Sequence, residues 1–388
     1  MMEKEKRYSV KEIYPRWVKK SEVESNEYEI DESLYPCADP DEDDPVSEPF
    51  SCICGSITLS CQELIQNYPP DYKDKTKKKF YNRALSLHKN QIGKINITRC
   101  RYNFGENNSL PIELNEIQIR NEKGFFDYSA NQMKKTHSNW YMNFADKQLF
   151  GYYASSLFAQ DEIQTLEMPL LASIREYLVK NNRYDLAPYT MKKIGPRGNE
   201  EDCASPFLIE NVPQWISVNT YPRLNDGTIG NIYGNNFSSA TEKELESGIK
   251  VLDTAVPVNI IAISALSKQG GKYRRAEIEY TLRAVLCAFE KARFLSITHN
   301  PLSEELKVAI HTGNWGCGAF GGNKEFMYLV QMIGASCAGI DELVFHAVDE
   351  GILSKAEGKF RTLKEISFKS CIDYLLAQGY LWGIGDGN

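Results

Sequence analysis

Two stretches of this chain carry residues that could do chemistry together. The first is Gln160-Asp161-Glu162 with Asp146 upstream, which gathers three carboxyl groups into a short segment. Adjacent carboxylates raise one another's pKa, and a carboxylic acid kept protonated near neutrality can hand a proton to a leaving group. The second is His311-Thr312-Gly313-Asn314-Trp315-Gly316-Cys317-Gly318-Ala319-Phe320-Gly321-Gly322, with five glycines in its last ten residues. Glycine lets a backbone take positive φ and approach a ligand without Cβ interference. Strand, glycine loop and helix N-terminus in succession present N–H groups and a positive dipole end to an anion, most simply a diphosphate. Taken singly, each stretch also has a plain reading: an acidic first helical turn favoured by the dipole, and a tight turn with no ligand. Together they describe a phosphate cradle beside a general acid. That pairing suits the breaking of a glycosidic bond through an oxocarbenium-like state.

The elements that must position these groups can be read from periodicity. Val308-Ala309-Ile310 reads as the end of a strand leading into the glycine loop. Asn323 is a good N-cap after it, and Phe326, Leu329, Val330 and Ile333 follow at helical spacing. Residues 94–98 and 113–119 alternate with period two, as half-buried strands do, and residues 140–145 read as another strand. Residues 258–263 and 343–348 are near-continuous apolar strands, which suits burial on both faces. Helical periodicity covers residues 163–178, 275–294 and 368–380. The alternation predicts a layered α/β/α sheet. N-terminal to it, Ser60 is a plausible N-cap before Gln62 to Ile65, and a second helix covers residues 77–87 with Lys77-Lys78-Lys79 as solvated charge near its start. Residues 1–36 form a polar arm with aromatic punctuation, and the proline- and acid-rich residues 38–49 a solvated linker. The expected organisation is therefore 1–50 as arm and linker, 51–92 as a helical accessory region, and 93–388 as the core.

Composition narrows the function classes. The chain has 388 residues, 42% apolar and 25% charged, enough for a large globular core. A net charge of −7 argues against a nucleic-acid partner, because neutralising phosphates needs a basic surface. No apolar run approaches the ~18 residues of a membrane span, and the first residues lack the apolar stretch of a signal peptide, so a soluble, intracellular (cytoplasmic) location is expected, with secretion into a host cell without a cleavable signal peptide as the alternative. The ten cysteines are scattered. Cys37, Cys52, Cys54 and Cys61 form the nearest thing to a cluster, without the paired spacing of a zinc site; reduced thiols are expected, with no metal ligands and no cofactor.

Residues 144–163 resemble the signature of the poly(ADP-ribose) glycohydrolases. In that family a strand ending in Ala-Asn is followed by three glycines, a short loop and Gln-Glu-Glu-Ile; here Ala145-Asp146 and Gln160-Asp161-Glu162-Ile163 stand at matching spacing. Gly313 to Gly322 is identical to the same family's glycine motif, and the likeness extends over about residues 55–380. The resemblance implies a three-layer α/β/α macrodomain-like core with a mixed sheet, and hydrolysis of the ribosyl C1″ bond of an ADP-ribosylated protein to release ADP-ribose. It makes Glu162 the acid that protonates the departing oxygen and then activates water, with Asp161 holding the distal ribose and Asp146 beside them. It places Gly151, Tyr152 and Gln160 from one block around the ligand. From the other block it places Asn314, Trp315, Gly316, Cys317, Gly318, Ala319 and Phe320 there. Phe126 would pack on adenine and Asp127 accept from its amino group, while Tyr221 and Tyr233 are both candidates for a clasping tyrosine. Cys317 needs no catalytic role, since small buried thiols are usually packing.

This chain departs from the pattern where the three glycines have become Phe150-Gly151-Tyr152, where Asp146 replaces Asn, and where Asp161 is one methylene shorter than Glu. Bulk beside the diphosphate reshapes the groove along which a polymer would run, so a single ADP-ribose on a protein is at least as fitting a substrate as poly(ADP-ribose). A catalytically silent ADP-ribose reader, and an unrelated nucleotide or phosphate enzyme sharing only the loop, are the competing readings.

Overall fold

A computed structural model describes residues 51–102, 112–128, 136–193, 202–267, 270–299, 306–363, 365–383 and 385. The expected arm, linker and Cys37 lie outside these residues. In chain order the first half comprises β1 (Ser51–Ser60), α1 (Cys61–Asn67), α2 (Lys75–His88), β2 (Lys94–Tyr102), β3 (Ile112–Glu113), β4 (Gln118–Glu122) and β5 (His137–Asn143). Next come α3 (Gln160–Glu167), α4 (Pro169–Asn181), β6 (Met191–Lys193), β7 (Asp202–Ala204), β8 (Phe207–Val218), α5 (Glu242–Gly248) and β9 (Ile249–Ala262). The chain continues through α6 (Arg275–His299), β10 (Lys307–Thr312), α7 (Lys324–Ala338), β11 (Glu342–His346), α8 (Glu350–Phe360), β12 (Glu365–Ile366) and α9 (Phe368–Ala377).

The central sheet is mixed, in the order β1-β2-β8-β9-β5-β10-β11-β4. The β9-β5-β10-β11-β4 half is parallel, and β1, β2, β8 and β9 pair antiparallel. The inner parallel strands are covered on both faces, as their near-continuous apolar runs require, whereas the edge strand β4 is largely exposed. On one face α6, α7, α8 and α9 pack against Trp140, Met142, Ile261, Val308, Ile310 and Phe345. On the other, α1 to α5 pack against Tyr141, Ile209, Trp215, Val258 and Ile260. The chain is thus a three-layer α/β/α structure, as the alternation of periods predicts.

Two consequences of this order make the site. β5 and β10 are neighbours, with His311 opposite Tyr141, so their C-terminal ends emerge side by side. The helices that follow them, α3 and α7, lie on opposite faces of the sheet. Such a divergence opens a crevice at the carboxyl ends of the strands, where α/β sheets place their ligands.

Several expectations need correction. The helix read over residues 163–178 is two helices, broken at Met168, because Pro169 has no N–H to donate and disfavours the helical conformation in the residue before it. The strand read over residues 113–119 is split: Ile112–Glu113 pairs with β12, and Gln118–Glu122 is an edge of the main sheet. The last helix stops at Ala377 rather than Tyr380. The segment 51–92 holds two helices but also β1, which pairs along its length with β2 and so extends the core sheet. Lys77 is not solvated. Asp74 caps α2, which turns Lys77 onto the same buried face as Phe80, Tyr81 and Ala84, and its side chain is 0% exposed.

Candidate active site

The crevice is a cleft of about 960 Å³, lined from both faces of the sheet by the acidic segment and the glycine loop. That volume lies within the range of small-molecule sites, roughly 300–1,000 Å³.

The acidic wall is held by the end of β5. Gln160 spends its side chain on that strand: its Oε1 accepts from the Phe144 amide at 2.7 Å, and its Nε2 donates to the Met142 carbonyl at 2.9 Å. This pins the first turn of α3 to β5. Asn143, fully buried at the strand end, donates from Nδ2 to both Asp161 Oδ1 and Gln164 Oε1 at 3.0 Å. Glu162 Oε2 accepts the Ala159 amide at 3.0 Å, closing the helix start from its third residue. Both carboxyl groups are nearly out of water, Asp161 at 6% and Glu162 at 3% exposure. Burial drives the Asp161 carboxyl well above the carboxylate range, and neighbouring Glu162 adds to it; the Asn143 hydrogen bond and Lys77 pull the other way. Burial also raises Glu162, opposed first by Lys77. Asp146 is half-buried, and its carboxylate accepts the Gln148 amide at 3.0 Å.

The opposing wall is the turn between β10 and α7. Asn323 caps α7, accepting from the Phe326 amide at 3.1 Å, as its type and position predict. Gly316 takes φ +69°, and a Cβ there would lie 2.6 Å from the Cβ of Ala265. A Cβ on Gly313 would lie 2.7 Å from the His346 carbonyl oxygen. Both positions therefore need glycine for space, and Gly316 for its backbone as well. The loop closes on itself through Cys317 N–H to Asn314 O at 2.9 Å and Gly322 N–H to Gly316 O at 2.8 Å. Tyr328 donates to Asn314 Oδ1 at 2.5 Å, and Asn314 Nδ2 donates to the Ala347 carbonyl at 2.9 Å.

Most of the sequence-derived residues meet here. Glu162, Asp161, Asp146, Tyr152, Gln160, Asn314, Gly316, Cys317, Gly318, Ala319, Phe320, Phe126, Tyr221 and Tyr233 all line the cleft. Three do not. Trp315 is fully buried, and its indole N–H donates to the Ile263 carbonyl at 3.2 Å, so it anchors the loop from beneath. Gly151 faces Gln148, whose carbonyl takes its amide at 2.8 Å. Asp127 is not among the lining residues, and its backbone carbonyl accepts from Tyr141 Oη at 3.2 Å. The Phe150-Gly151-Tyr152 departure has a defined shape: Phe150 is fully buried with φ +52°, and Tyr152 stands on the cleft wall, more than half exposed. Burial pushes the Cys317 thiol up to about 12, which leaves it a packing group rather than a nucleophile. Tyr221 and Tyr233 both stack on Phe125 at the cleft, with centroids 6.4 and 5.7 Å away.

The structure adds residues that the motif reading passed over. Glu167, the last residue of α3, lines the cleft and accepts from Val218 N at 3.0 Å and Tyr128 Oη at 3.2 Å; burial raises it to about 8. His346 lines the cleft and contacts His311, with ring nitrogens 3.0 Å apart. Lys77 lies behind the acidic wall. The signal for Lys77 was present, since it shares the helical stripe of Phe80, Tyr81 and Ala84. Glu167 and His346 give none, because each reads as an ordinary polar residue until the sheet order is known. Among the described residues no group of three or more His, Cys, Asp or Glu is arranged to hold a metal ion. Nor, among them, is any helix long and apolar enough to cross a membrane.

Residues 229–355 match the protein family described as poly(ADP-ribose) glycohydrolase (PARG), macro domain fold. That span contains β9, β10, the glycine loop, α7 and β11; Asp161 and Glu162 lie before it. Among solved structures, the chain is similar to the poly(ADP-ribose) glycohydrolase of Thermomonospora curvata, at 14% identity over 64% of this chain and 77% of that one, with a TM-score of 0.34. The inhibitor ADP-HPD complex from that organism gives 15% identity, 63% and 78% coverage, and a TM-score of 0.34. The Deinococcus radiodurans glycohydrolase in complex with ADP-ribose gives 13% identity, 79% and 93% coverage, and a TM-score of 0.31.

Proposed function

Because residues 229–355 are related to the poly(ADP-ribose) glycohydrolase macro domain, we propose that this chain is an ADP-ribosyl glycohydrolase with Glu162 as its general acid and base. The observation that carries the reading is a single cleft with Glu162 and Asp161 on one wall and the glycine turn on the other. The diphosphate lies along the amides of Gly316, Gly318, Ala319 and Phe320, and the ribose it bears reaches the carboxyl pair. As the C1″–O bond to the acceptor breaks, the Glu162 proton passes to the departing oxygen. The resulting carboxylate takes a proton from water, whose oxygen adds to C1″; one water is consumed and Glu162 is protonated again. Burial favours the starting acid form, and the negative phosphates help to stabilise the developing cation. Asp161 holds the distal ribose, Phe126 offers an apolar surface to the base, and Tyr221 or Tyr233 clasps the ligand.

The substrate is an ADP-ribosylated protein carrying a single unit, at least as readily as a polymer. The support is Tyr152, which places a bulky side chain on the wall where a run of glycines would leave room for a further unit.

Two measurements test this. Calorimetric titration with ADP-ribose, NAD and ATP should show selective binding of ADP-ribose. Release of ADP-ribose from mono- and poly-modified protein should fall ~10²–10⁴-fold in Glu162→Gln while binding persists. Equal release by both forms would overturn the role of Glu162. Binding without release by either form would favour the silent reader, for which Tyr152 on the cleft wall is the structural argument.

A further inference from the structure

We infer that Lys77 of α2 is a positioning residue of this site: its buried ammonium ties down the loop that leads into α3 and sets the charge behind the Asp161–Glu162 pair. The inference rests on the function proposed above for what those carboxyls do, but its geometry stands alone.

Lys77 Nζ donates to the Leu157 carbonyl at 2.6 Å and to the Tyr153 carbonyl at 3.2 Å, and it lies 5.5 Å from the centroid of the Phe158 ring. The same segment grips the loop at other points. The amides of Lys73 and Asp74 both donate to the Ala154 carbonyl at 3.0 Å, and the Asp71 amide donates to Tyr153 Oη at 2.8 Å. Tyr72 Oη donates to the Thr165 carbonyl of α3 at 2.8 Å. Residues 71–77 therefore fix residues 153–157, and through them the start of α3 at Ala159-Gln160.

Neutral donors could satisfy two carbonyls, so the charge calls for a separate account. A fully buried ammonium is costly, and burial pulls Lys77 down to about 8. What opposes that pull is, in order, Glu162, Asp74 and Asp161. The groups that face Glu162 are Asp161 beside it, Asp146 from the loop after β5, and Lys77 from α2. Lys77 is the cation among them. Two adjacent carboxyls beside Asp146 with no cation would both be held in the protonated form; Lys77 favours the carboxylate that Glu162 becomes once its proton has passed to the departing oxygen, the form that then activates water.

The test compares Lys77→Gln, Lys77→Met and Lys77→Arg. Gln keeps N–H donors without charge, Met removes both, and Arg keeps the charge. A general acid loses activity as pH rises through its pKa, and a nearby cation lowers that pKa. Removing the cation should therefore move the alkaline limb of kcat/KM upward by about one pH unit in the Gln and Met variants, and Arg should restore it. Met should additionally lose about tenfold or more in kcat through the slack loop. In ligand-free protein, the Glu162 carboxyl titration should move in the same sense, followed by infrared difference spectra assigned with Glu162→Gln. Natively folded Gln and Met variants with both titrations at the wild-type position would overturn the inference. A Lys77→Arg variant that folds but titrates like Gln would do so as well. Should Glu162→Gln prove fully active, the proposed function falls, whereas the carboxyl titration still decides the effect of Lys77.

Discussion

Glu167 gives the sharpest quantitative test of this interior. The residue is 5% exposed, and its carboxyl group accepts from Val218 N and Tyr128 Oη and is raised by burial from 4.5 to about 8. In the unfolded chain it titrates near 4.5. Between pH 4.5 and 8 the native state thus holds a proton that the unfolded state has released, so stability falls as pH rises through this window. A difference of 3.5 pH units at about 1.36 kcal/mol each bounds the effect near 5 kcal/mol; between pH 5 and pH 8 it amounts to about 3–4 kcal/mol. Glu167→Gln removes the titration while keeping an acceptor for Val218 N and a similar volume. Urea denaturation of both proteins at pH 5, 6, 7 and 8 should give curves that diverge, the variant gaining on the wild type by about 3 kcal/mol across the series. Asp161 and Glu162 lose stability in the same direction, and the buried pair His311 and His346, lowered by burial to about 3 and about 4, changes below pH 6.5 in the opposite one. These groups are present in both proteins and cancel in the difference. Parallel curves would show that Glu167 is not buried as described, and with it the seam between α3 and the end of β8.

Two substitutions test the packing behind Tyr152 and the glycine turn. Phe150→Gly relieves a left-handed backbone worth about 1 kcal/mol but gives up a fully buried phenyl ring worth roughly 3–5 kcal/mol, so the denaturation midpoint should fall by the equivalent of about 2–4 kcal/mol; a rise would mean that strain outweighs packing there. Gly316→Ala puts a methyl group against Ala265 on a backbone that favours glycine, and ADP-ribose affinity measured by calorimetry should drop at least tenfold; unchanged affinity would remove the glycine turn from the ligand site.

Local sequence determined the pieces of this protein. Asn323 and Ser60 cap the helices they were expected to cap, because a side-chain acceptor before an apolar stripe satisfies an amide wherever the chain goes. The strand-glycine-helix unit at 308–333 and the long helix from Arg275 were legible for the same reason: periodicity and turn chemistry are properties of neighbouring residues. So were the carboxylates and the glycine turn that form the two walls. Tertiary structure decided what those pieces face. That β5 lies beside β10, with their helices diverging to opposite faces, is a matter of sheet order, and only that order brings Glu162 to the glycine turn across about 150 residues of chain. Inside a ten-residue motif it turned Trp315 into the core and left Asn314 and Phe320 on the cleft. It also buried one lysine of three at 77–79, because helix phase picks the face but only packing against Phe158 and the 153–157 loop shows what that face meets.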